Sequence, residues 1–250
     1  MGKTRIEWLR DSATGKQGYS INPVKGLCSV ACKDNQGKEY CYARRLYNRF
    51  KWNPEIRFDR KVLLAVADIK KPSRIFVGSM IELFGEWIEP YCLDETIDIC
   101  RAFPQHTFIF LTKCPQNLIK WSPFPENCWV GVTITKQRDF LSSIKFLCDI
   151  KVSVRFISFE PLLWWDGYFY LKTLSETLHN HKINWVIIGQ VTPIRKATTP
   201  NIEWINEICM AANDANIPVF LKNNLRPLFD DCAKKSGVGY QLRQEFPDAH

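Results

Sequence analysis

The fold is decided by three short apolar stretches: RIFVGSM at 74–80, TFIFLTK at 107–113 and WVIIGQ at 185–190. Each contains a continuous run of branched or aromatic residues, which is typical of strands that are buried on both faces of a parallel sheet. Each then ends in polar or charged residues. Four further stretches follow the same pattern, and the seven predicted strands are 18–24, 74–79, 106–112, 128–133, 152–159, 185–189 and 217–222.

Amphipathic segments separate these strands. Apolar residues recur with a spacing near 3.6, the period of an α-helix, in segments 40–52, 93–103, 136–149 and 201–213. The alternation of strand, loop and helix predicts an α/β fold and, at this length, a full or partial (β/α) barrel of parallel strands. Because no Gly-, Ser- or Pro-rich linker interrupts the pattern, we expect one barrel domain, 1–233, with a cysteine loop, 28–41, and a peripheral C-terminal tail, 234–250.

The composition excludes several classes of protein. The chain has 250 residues, of which 46% are hydrophobic and 24% charged, as in proteins that bury one sizeable core, and this excludes disordered and collagen-like chains. No apolar run approaches the ~18–20 residues that span a bilayer, and the first residues lack the apolar stretch of a signal peptide. We therefore expect a cytoplasmic protein with no membrane partner.

The ten cysteines fall into two groups. Seven stand singly, several of them in apolar stretches, and they should be small buried core residues in a reducing compartment. These are Cys92, Cys100, Cys114, Cys128, Cys148, Cys209 and Cys232. The other three, Cys28, Cys32 and Cys41, lie in one loop after the first predicted strand.

Three thiolates on one loop suit a [4Fe–4S] cluster, because they bind three irons and leave the fourth open for a ligand. A closed structural zinc site needs a fourth ligand, usually His, and none of the four histidines lies near the loop. A catalytic zinc with three cysteines and water lacks the neighbouring Glu motif of the deaminases. Iron–sulfur is the favoured interpretation, with zinc and unliganded cysteines as alternatives.

Polar side chains follow the predicted strands, and in parallel barrels the active site lies at these carboxyl ends. Lys113, Glu160 and Lys222 are the catalytic candidates, because a charge directly after a buried strand needs a partner or a ligand. A structural ion pair between Lys113 and Glu160 is the alternative. Smaller polar residues, which also cap helices, follow other strands: Ser79, Thr133 and Gln190.

Positive charge is concentrated in and just after the cysteine loop. Segment 33–74 holds twelve Lys or Arg against five acidic residues, and so most of the net charge of +8. Aromatic residues alternate with these cations, as on surfaces that neutralise phosphates and stack on bases. We expect nucleic acid as a partner, contacted by Arg44, Arg45 and Arg49, with a solvated helical face as the alternative.

Several motifs together are similar to one known family. They are TRIEW at 4–8, NPV at 22–24, CYAR at 41–44, KPSRIFV at 71–77, LTK at 111–113, WVGVT at 129–133, RFISFEPLL at 155–163 and WVIIG at 185–189. On these motifs the chain resembles the phage gene product thirty-seven/sixty-eight family. That three-cysteine family is similar to radical S-adenosylmethionine enzymes, with spore photoproduct lyase as a better-understood relative. The resemblance runs from about Thr4 to Lys222.

The resemblance implies a partial (β/α) barrel whose loop cysteines bind a [4Fe–4S] cluster, with S-adenosylmethionine on the open iron. An external donor supplies an electron, and cleavage gives methionine and a 5′-deoxyadenosyl radical. By strand order, Ser79 is expected to face the methionine part, and Thr133 and Glu160 the ribose or amino group. Tyr40 or Tyr42 is expected at the adenine.

The chain departs from the family pattern in two places. The usual spacing is CxxxCxxC, whereas eight residues separate Cys32 from Cys41. After the sixth strand the family has Gly-Gly-Glu, and this chain has GQV at 189–191. Gln190 therefore stands at the expected cofactor-binding position, and a basic residue at 195 or 196 is expected to contact an anion.

Two classes of function follow from these observations. The leading interpretation is a radical S-adenosylmethionine enzyme that acts on nucleic acid or a nucleotide. The alternative is a non-catalytic, metal-containing protein that binds nucleic acid or another partner. Within the enzyme class, a peptide or small-molecule substrate stays open, because the cofactor carries the radical chemistry and the protein positions the reacting group.

Overall fold

The structure, a computed structural model, describes residues 2–11, 14–167 and 171–247. Residue 1 of the predicted domain and residues 248–250 of the predicted tail lie outside the described residues. The strands are β1 Gly2–Lys3, β2 Tyr19–Ile21, β3 Val24–Lys25, β4 Arg57–Phe58, β5 Arg74–Val77, β6 Thr107–Thr112, β7 Cys128–Thr133, β8 Val154–Phe159, β9 Trp185–Ile188 and β10 Val219–Leu221. The α-helices are α1 Tyr42–Phe50, α2 Arg60–Leu64, α3 Pro90–Ala102, α4 Phe140–Cys148, α5 Leu171–Asn180, α6 Ile202–Asp214 and α7 Arg226–Ser236.

One sheet of eight strands organises the fold, in the order β1-β2-β5-β6-β7-β8-β9-β10. The seven strands from β2 to β10 in that order run parallel, and β1 pairs with β2 in the antiparallel sense. The short strands β3 and β4 form a separate antiparallel pair. Every predicted strand coincides with a strand of the large sheet, so the α/β class with a mostly parallel sheet is confirmed.

Three helices were not predicted from the sequence: α2, α5 and α7. With five residues, α2 is too short to show a helical period. No residue of α7 is buried, so its apolar pattern is weak. The predicted domain boundary after residue 233 falls inside this helix.

The two faces of the sheet bury different clusters. Helices α2 to α6 cover one face with aliphatic and aromatic side chains. The opposite face, here called the aromatic face, carries a cluster rich in aromatic rings, and the short 3-10 turn Glu7–Leu9 inserts Trp8 and Leu9 into it. Trp185 is fully buried in this cluster, edge-on to Trp8 with ring centroids 6.2 Å apart.

Side chains on the aromatic face change from apolar to polar toward the carboxyl ends of the strands, here called the carboxyl edge. Alternate residues of a strand share a face, so β8 presents Phe156 and then Ser158, and β9 presents Ile187 and then Gly189. Thr133 of β7 lies directly beside Ser158 in the strand register. This side of the carboxyl edge therefore combines small residues with polar groups.

Gly131 makes room for a ring of the aromatic face. A Cβ atom at this position would lie 2.4 Å from the ring of Phe156, which is fully buried. Because overpacking a core costs about 1–3 kcal/mol, we expect Gly131→Ala to lower the free energy of unfolding by about 2 kcal/mol in urea titrations. Gly239→Ala is the matched control, since a Cβ atom there meets nothing within 4 Å. Equal urea midpoints for the two variants would contradict this packing.

Candidate metal centre and cofactor site

The residues between Cys32 and Cys41 fold into a hairpin that returns the chain to its starting point. The N–H of Tyr40 donates to the carbonyl oxygen of Cys32 at 3.0 Å. Next to this bond, Lys33 and Glu39 form an isolated antiparallel bridge. The long spacing in the sequence therefore leaves the two cysteines adjacent in space.

Contacts of Asp34 and its neighbour Asn35 connect this hairpin to loops at the carboxyl edge. The carboxylate of Asp34, whose side chain is 3% exposed, lies 3.4 Å from the guanidinium of Arg195, in the loop after β9. It also accepts two backbone N–H groups of the hairpin, at 2.9 and 3.0 Å. Asn35 donates to the carbonyl oxygen of Leu163, after β8, at 3.0 Å. Arg195, one of the two basic residues predicted to contact an anion, therefore contacts the carboxylate of Asp34 in its own chain.

The thiols of Cys32 and Cys41 are hydrogen-bonded to each other. Cys41 also caps α1 by accepting the N–H of Arg44 at 3.4 Å. The hydrogen bond from Cys32, aided by the backbone N–H groups of Arg44 and Ala43, lowers the pKa of Cys41. The same bond and burial raise the pKa of Cys32, and the nearby charge of Cys28 adds to this effect. Lys113 opposes it with a positive charge beside both thiols.

The three loop cysteines are not arranged around a single metal ion. Within the described ranges, no three His, Cys, Asp or Glu side chains are arranged as ligands of one metal ion. A [4Fe–4S] cluster requires a different arrangement, because each thiolate binds a separate iron. Cys28, Cys32 and Cys41 are free and half-buried, and Lys113 brings a positive charge close to Cys32 and Cys41. They are the candidate cluster ligands.

The seven remaining cysteines are also free, and they are less uniform than predicted. Cys92, Cys100 and Cys128 are buried, as expected for core residues. The other four are half-buried: Cys114, Cys148, Cys209 and Cys232.

The carboxyl edge also carries buried polar atoms without hydrogen-bond partners in the described part of the chain. They are Thr133 Oγ1, Ser158 Oγ and Gln190 Oε1. Thr133 and Ser158 are neighbours in the strand register, on the aromatic face. A buried polar atom without a partner costs about 1–3 kcal/mol, so a group of them marks a place for a polar ligand.

Glu160 and Lys222 form an ion pair at the ends of β8 and β10, with side chains 24% and 18% exposed. Gly189, between them, leaves the space: a Cβ atom there would lie 2.9 Å from Lys222 and 3.3 Å from Glu160. The alternative pairing of Glu160 with Lys113 does not form. The Lys113 side chain is exposed. The backbone N–H of Lys113 donates to the carboxylate of Glu82 at 2.7 Å.

Ser79 lies beyond the end of β5, on the cysteine side of the edge. Its hydroxyl accepts from Ser20 at 2.8 Å and from Asn22 at 3.2 Å, and its carbonyl oxygen accepts from the hydroxyl of Tyr42. Tyr40 lies against the thiols, and burial together with their charges raises its pKa. The structure therefore brings the predicted cofactor-binding residues Ser79, Tyr40 and Tyr42 close to the cysteine hairpin.

Glu82 is a site residue that sequence reasoning missed. Its buried carboxylate accepts from the hydroxyl of Thr112 at 2.6 Å and from the N–H groups of Lys113 and Phe84 at 2.7 and 3.1 Å. It therefore joins the loops that follow β5 and β6. The signal was present in the sequence, since a charge soon after a buried strand also singled out Glu160.

The three arginines predicted to contact nucleic acid have different surroundings. Arg44 is half-buried, donates to the Cys28 carbonyl oxygen at 3.1 Å and lies 3.4 Å from Glu39, so it supports the cysteine loop. Arg45 is exposed and donates to a carbonyl oxygen after β9. Arg49 is exposed at the far end of α1. Only Arg45 and Arg49 are available to a partner along the helix.

The fold and the site define an α/β protein with three free cysteines at the carboxyl edge of a mostly parallel sheet, and spore photoproduct lyase has a similar fold. A mutant of that enzyme with bound AdoMet and dinucleoside spore photoproduct matches with a TM-score of 0.51 at 11% identity, over 85% of this chain and 65% of that chain. The lyase complexed with dinucleoside spore photoproduct matches with a TM-score of 0.50 at 12% identity, over 85% and 65%. The chain thus spans about 65% of the length of these structures, and the likeness concerns the fold alone.

The chain belongs to the family described as protein of unknown function (DUF5131), whose family model matches residues 3–239. No curated protein matches its sequence. The predicted likeness to spore photoproduct lyase is confirmed at the level of the fold, while the resemblance to the phage gene product family stays a prediction. In the part of the chain that the structure describes, no helix has the length and apolar character needed to cross a membrane.

Proposed function

We propose that this protein is a radical S-adenosylmethionine enzyme with a partial (β/α) barrel, in which Cys28, Cys32 and Cys41 hold a [4Fe–4S] cluster. The observation that carries this proposal is the hairpin that places Cys32 against Cys41, at the edge of the sheet that also carries buried polar atoms without partners. The similar fold of spore photoproduct lyase, one structure of which has bound AdoMet, supports it. When bound, the cluster supplies the electron that cleaves S-adenosylmethionine.

The chain's own polar residues then bind and orient S-adenosylmethionine. The unpartnered hydroxyls of Thr133 and Ser158, with the amide oxygen of Gln190, offer hydrogen bonds to its ribose or amino group. Ser79 offers a hydroxyl to the methionine part. Tyr40 or Tyr42 packs against the adenine. Burial of Thr133, Ser158 and Gln190 helps to exclude water from the reacting centre, which a radical reaction requires.

Three charged residues complete the proposed site. Glu160 presents a carboxylate toward the cofactor, and Lys222 holds that carboxylate in place through their ion pair. Lys113 provides positive charge beside the thiolates, where the cluster adds negative charge. These roles are electrostatic and positional, because a cofactor of this kind carries the chemical step itself.

The cleavage reaction is the direct test of the enzymatic proposal. After anaerobic reconstitution with iron and sulfide and reduction by dithionite, which stands in for the external electron donor, the protein should convert S-adenosylmethionine to methionine and 5′-deoxyadenosine. The second candidate, a non-catalytic metal-containing nucleic-acid-binding protein, is favoured by the exposed cations of α1. It predicts that the protein binds nucleic acid but forms no 5′-deoxyadenosine, and that result would contradict the enzymatic proposal.

Nucleic acid is the proposed substrate class, and the exposed arginines of α1 give its test. We expect Arg45→Gln/Arg49→Gln to reduce the dependence of log K on log salt by about two, because each lost phosphate contact removes about one unit of slope. Fluorescence anisotropy with a labelled oligonucleotide measures this. Lys234→Gln/Lys235→Gln removes two exposed cations from α7 and is the control. If both double variants keep the original slope, the substrate is of another class.

A further inference from the structure

Two large aromatic side chains are exposed side by side just beyond the cysteine site, at the end of α1. Phe50 and Trp52 are 51% and 46% exposed, and their rings stack with centroids 5.3 Å apart at 21°. The buried Tyr47 holds Trp52 edge-on at 5.3 Å, and the Arg49 guanidinium lies 5.3 Å from the Phe50 ring centre. Fixed aromatic rings left open to solvent mark interaction sites.

A stripe of exposed side chains connects this aromatic pair to the cysteine site. Tyr42, Arg45 and Arg49 occupy positions i, i+3 and i+7 of α1, which places them on one face of the helix. Trp52 follows after the C-cap residue Lys51. The stripe therefore begins beside Cys41, the helix cap, and ends at the stacked rings about 13 Å away, given ~1.5 Å per helical residue.

The charge around the stripe selects an anionic occupant. Segment 44–57 contains five Lys or Arg and a single acidic residue, Glu55. Flat exposed rings flanked by cations match a base flanked by phosphates, since every base offers a π-face and arginine neutralises the backbone. In a duplex those π-faces are covered by neighbouring base pairs, so only an unpaired strand presents them to side chains on a helix surface.

We propose that α1 is a track for single-stranded nucleic acid, with one base stacked on the Phe50–Trp52 pair and the backbone following Arg49 and Arg45 toward the cysteine site. The inference deepens the proposed function, because it names the form of the substrate that reaches that site. At ~3.4 Å per nucleotide of a stacked strand, the 13 Å path corresponds to about four nucleotides. A strand long enough to bridge both ends should therefore bind much better than a dinucleotide.

Binding by the protein without a reconstituted cluster tests this inference separately from catalysis. Labelled dT10, U10, dT2 and a ten-base-pair duplex are titrated by fluorescence anisotropy into wild type, Phe50→Ala/Trp52→Ala and Tyr91→Ala. Tyr91 is the matched control, because it is also 51% exposed and also packs edge-on against one ring, that of Phe58. We expect the double variant to bind dT10 or U10 at least tenfold more weakly, the loss typical of one stacked base, and Tyr91→Ala to bind like wild type.

The outcomes separate the two proposals. A preference for dT10 over U10, or the reverse, identifies DNA or RNA as the source of the strand and supports the track in either case. Equal affinity for the duplex and dT10, or unchanged dT10 affinity in Phe50→Ala/Trp52→Ala, overturns the track. Cleavage of S-adenosylmethionine by a protein that binds neither dT10 nor U10 overturns the track but keeps the enzyme. If dT10 binding depends on Phe50 and Trp52 but S-adenosylmethionine is not cleaved, the track is kept and the enzymatic proposal is overturned.

Discussion

Cys32→Ala protein should fail to assemble a [4Fe–4S] cluster after anaerobic reconstitution. Its iron and sulfide content should fall from about four of each per chain to near zero, because two remaining thiolates cannot hold three irons. Its broad visible absorbance should disappear with the iron. Cys32 is the most informative of the three positions, because it interacts with both of the other cysteines, Cys41 and Cys28.

Cys114→Ala is the matched control for this experiment. Cys114 is also free and half-buried, and burial together with the charges of Glu82 and Cys28 raises its pKa to about 12. Its thiol therefore lies close to the site, but it stands outside the cysteine loop 28–41. This variant should keep full iron content. Full iron in Cys32→Ala, or loss of iron in Cys114→Ala, would assign the cluster to a different set of cysteines. If the wild-type chain holds one zinc and no iron, the cysteines bind zinc and the cluster proposal is wrong.

The strands were predictable from the sequence because burial on both faces leaves a direct trace in it. Runs such as FIFL at 108–111 and VII at 186–188 are apolar at every position, and the sheet contains them as expected. The order of strands along the sheet also follows the chain closely from β5 to β10. Helices α2 and α7 left no such trace in the sequence. Helix α2 has only five residues, and no residue of α7 is buried.

The partners within the site were harder to predict than its location. Strand order places Glu160, Lys113 and Lys222 at the same edge, but the choice of partner depends on the few ångströms that Gly189 leaves open between Glu160 and Lys222. For Glu82 the sequence signal, a charge soon after a buried strand, was present, but its partners depend on the backbone of a neighbouring loop.

The hairpin at 33–40 illustrates what a spacing motif leaves out. Eight residues between Cys32 and Cys41 depart from the family pattern, and although Gly37 and Asn35 predict a turn, spacing alone does not define the geometry of a shared site. The intervening residues instead close on themselves, and the buried carboxylate of Asp34 fastens them to Arg195. Such closure depends on backbone hydrogen bonds and one long-range ion pair, and neither has a sequence period that a pattern search detects.

Glu160→Gln should weaken S-adenosylmethionine binding by the reconstituted protein by about 10- to 100-fold, the effect of losing one charge-assisted hydrogen bond. Equilibrium dialysis under anaerobic conditions measures the dissociation constant. The alternative is that Glu160 and Lys222 form a purely structural ion pair, and a double-mutant cycle with Lys222→Met distinguishes the two roles.

A structural pair and a binding group give opposite results in the double variant Glu160→Gln/Lys222→Met. Removing one member of a largely buried pair leaves the other charge uncompensated, so each single variant should unfold at lower urea concentration than wild type, and the double variant should recover part of that loss. If Glu160 binds the cofactor, the recovery of stability brings no recovery of affinity. Affinity in the double variant that returns to the wild-type value together with the urea midpoint would reduce Glu160 to a structural partner of Lys222.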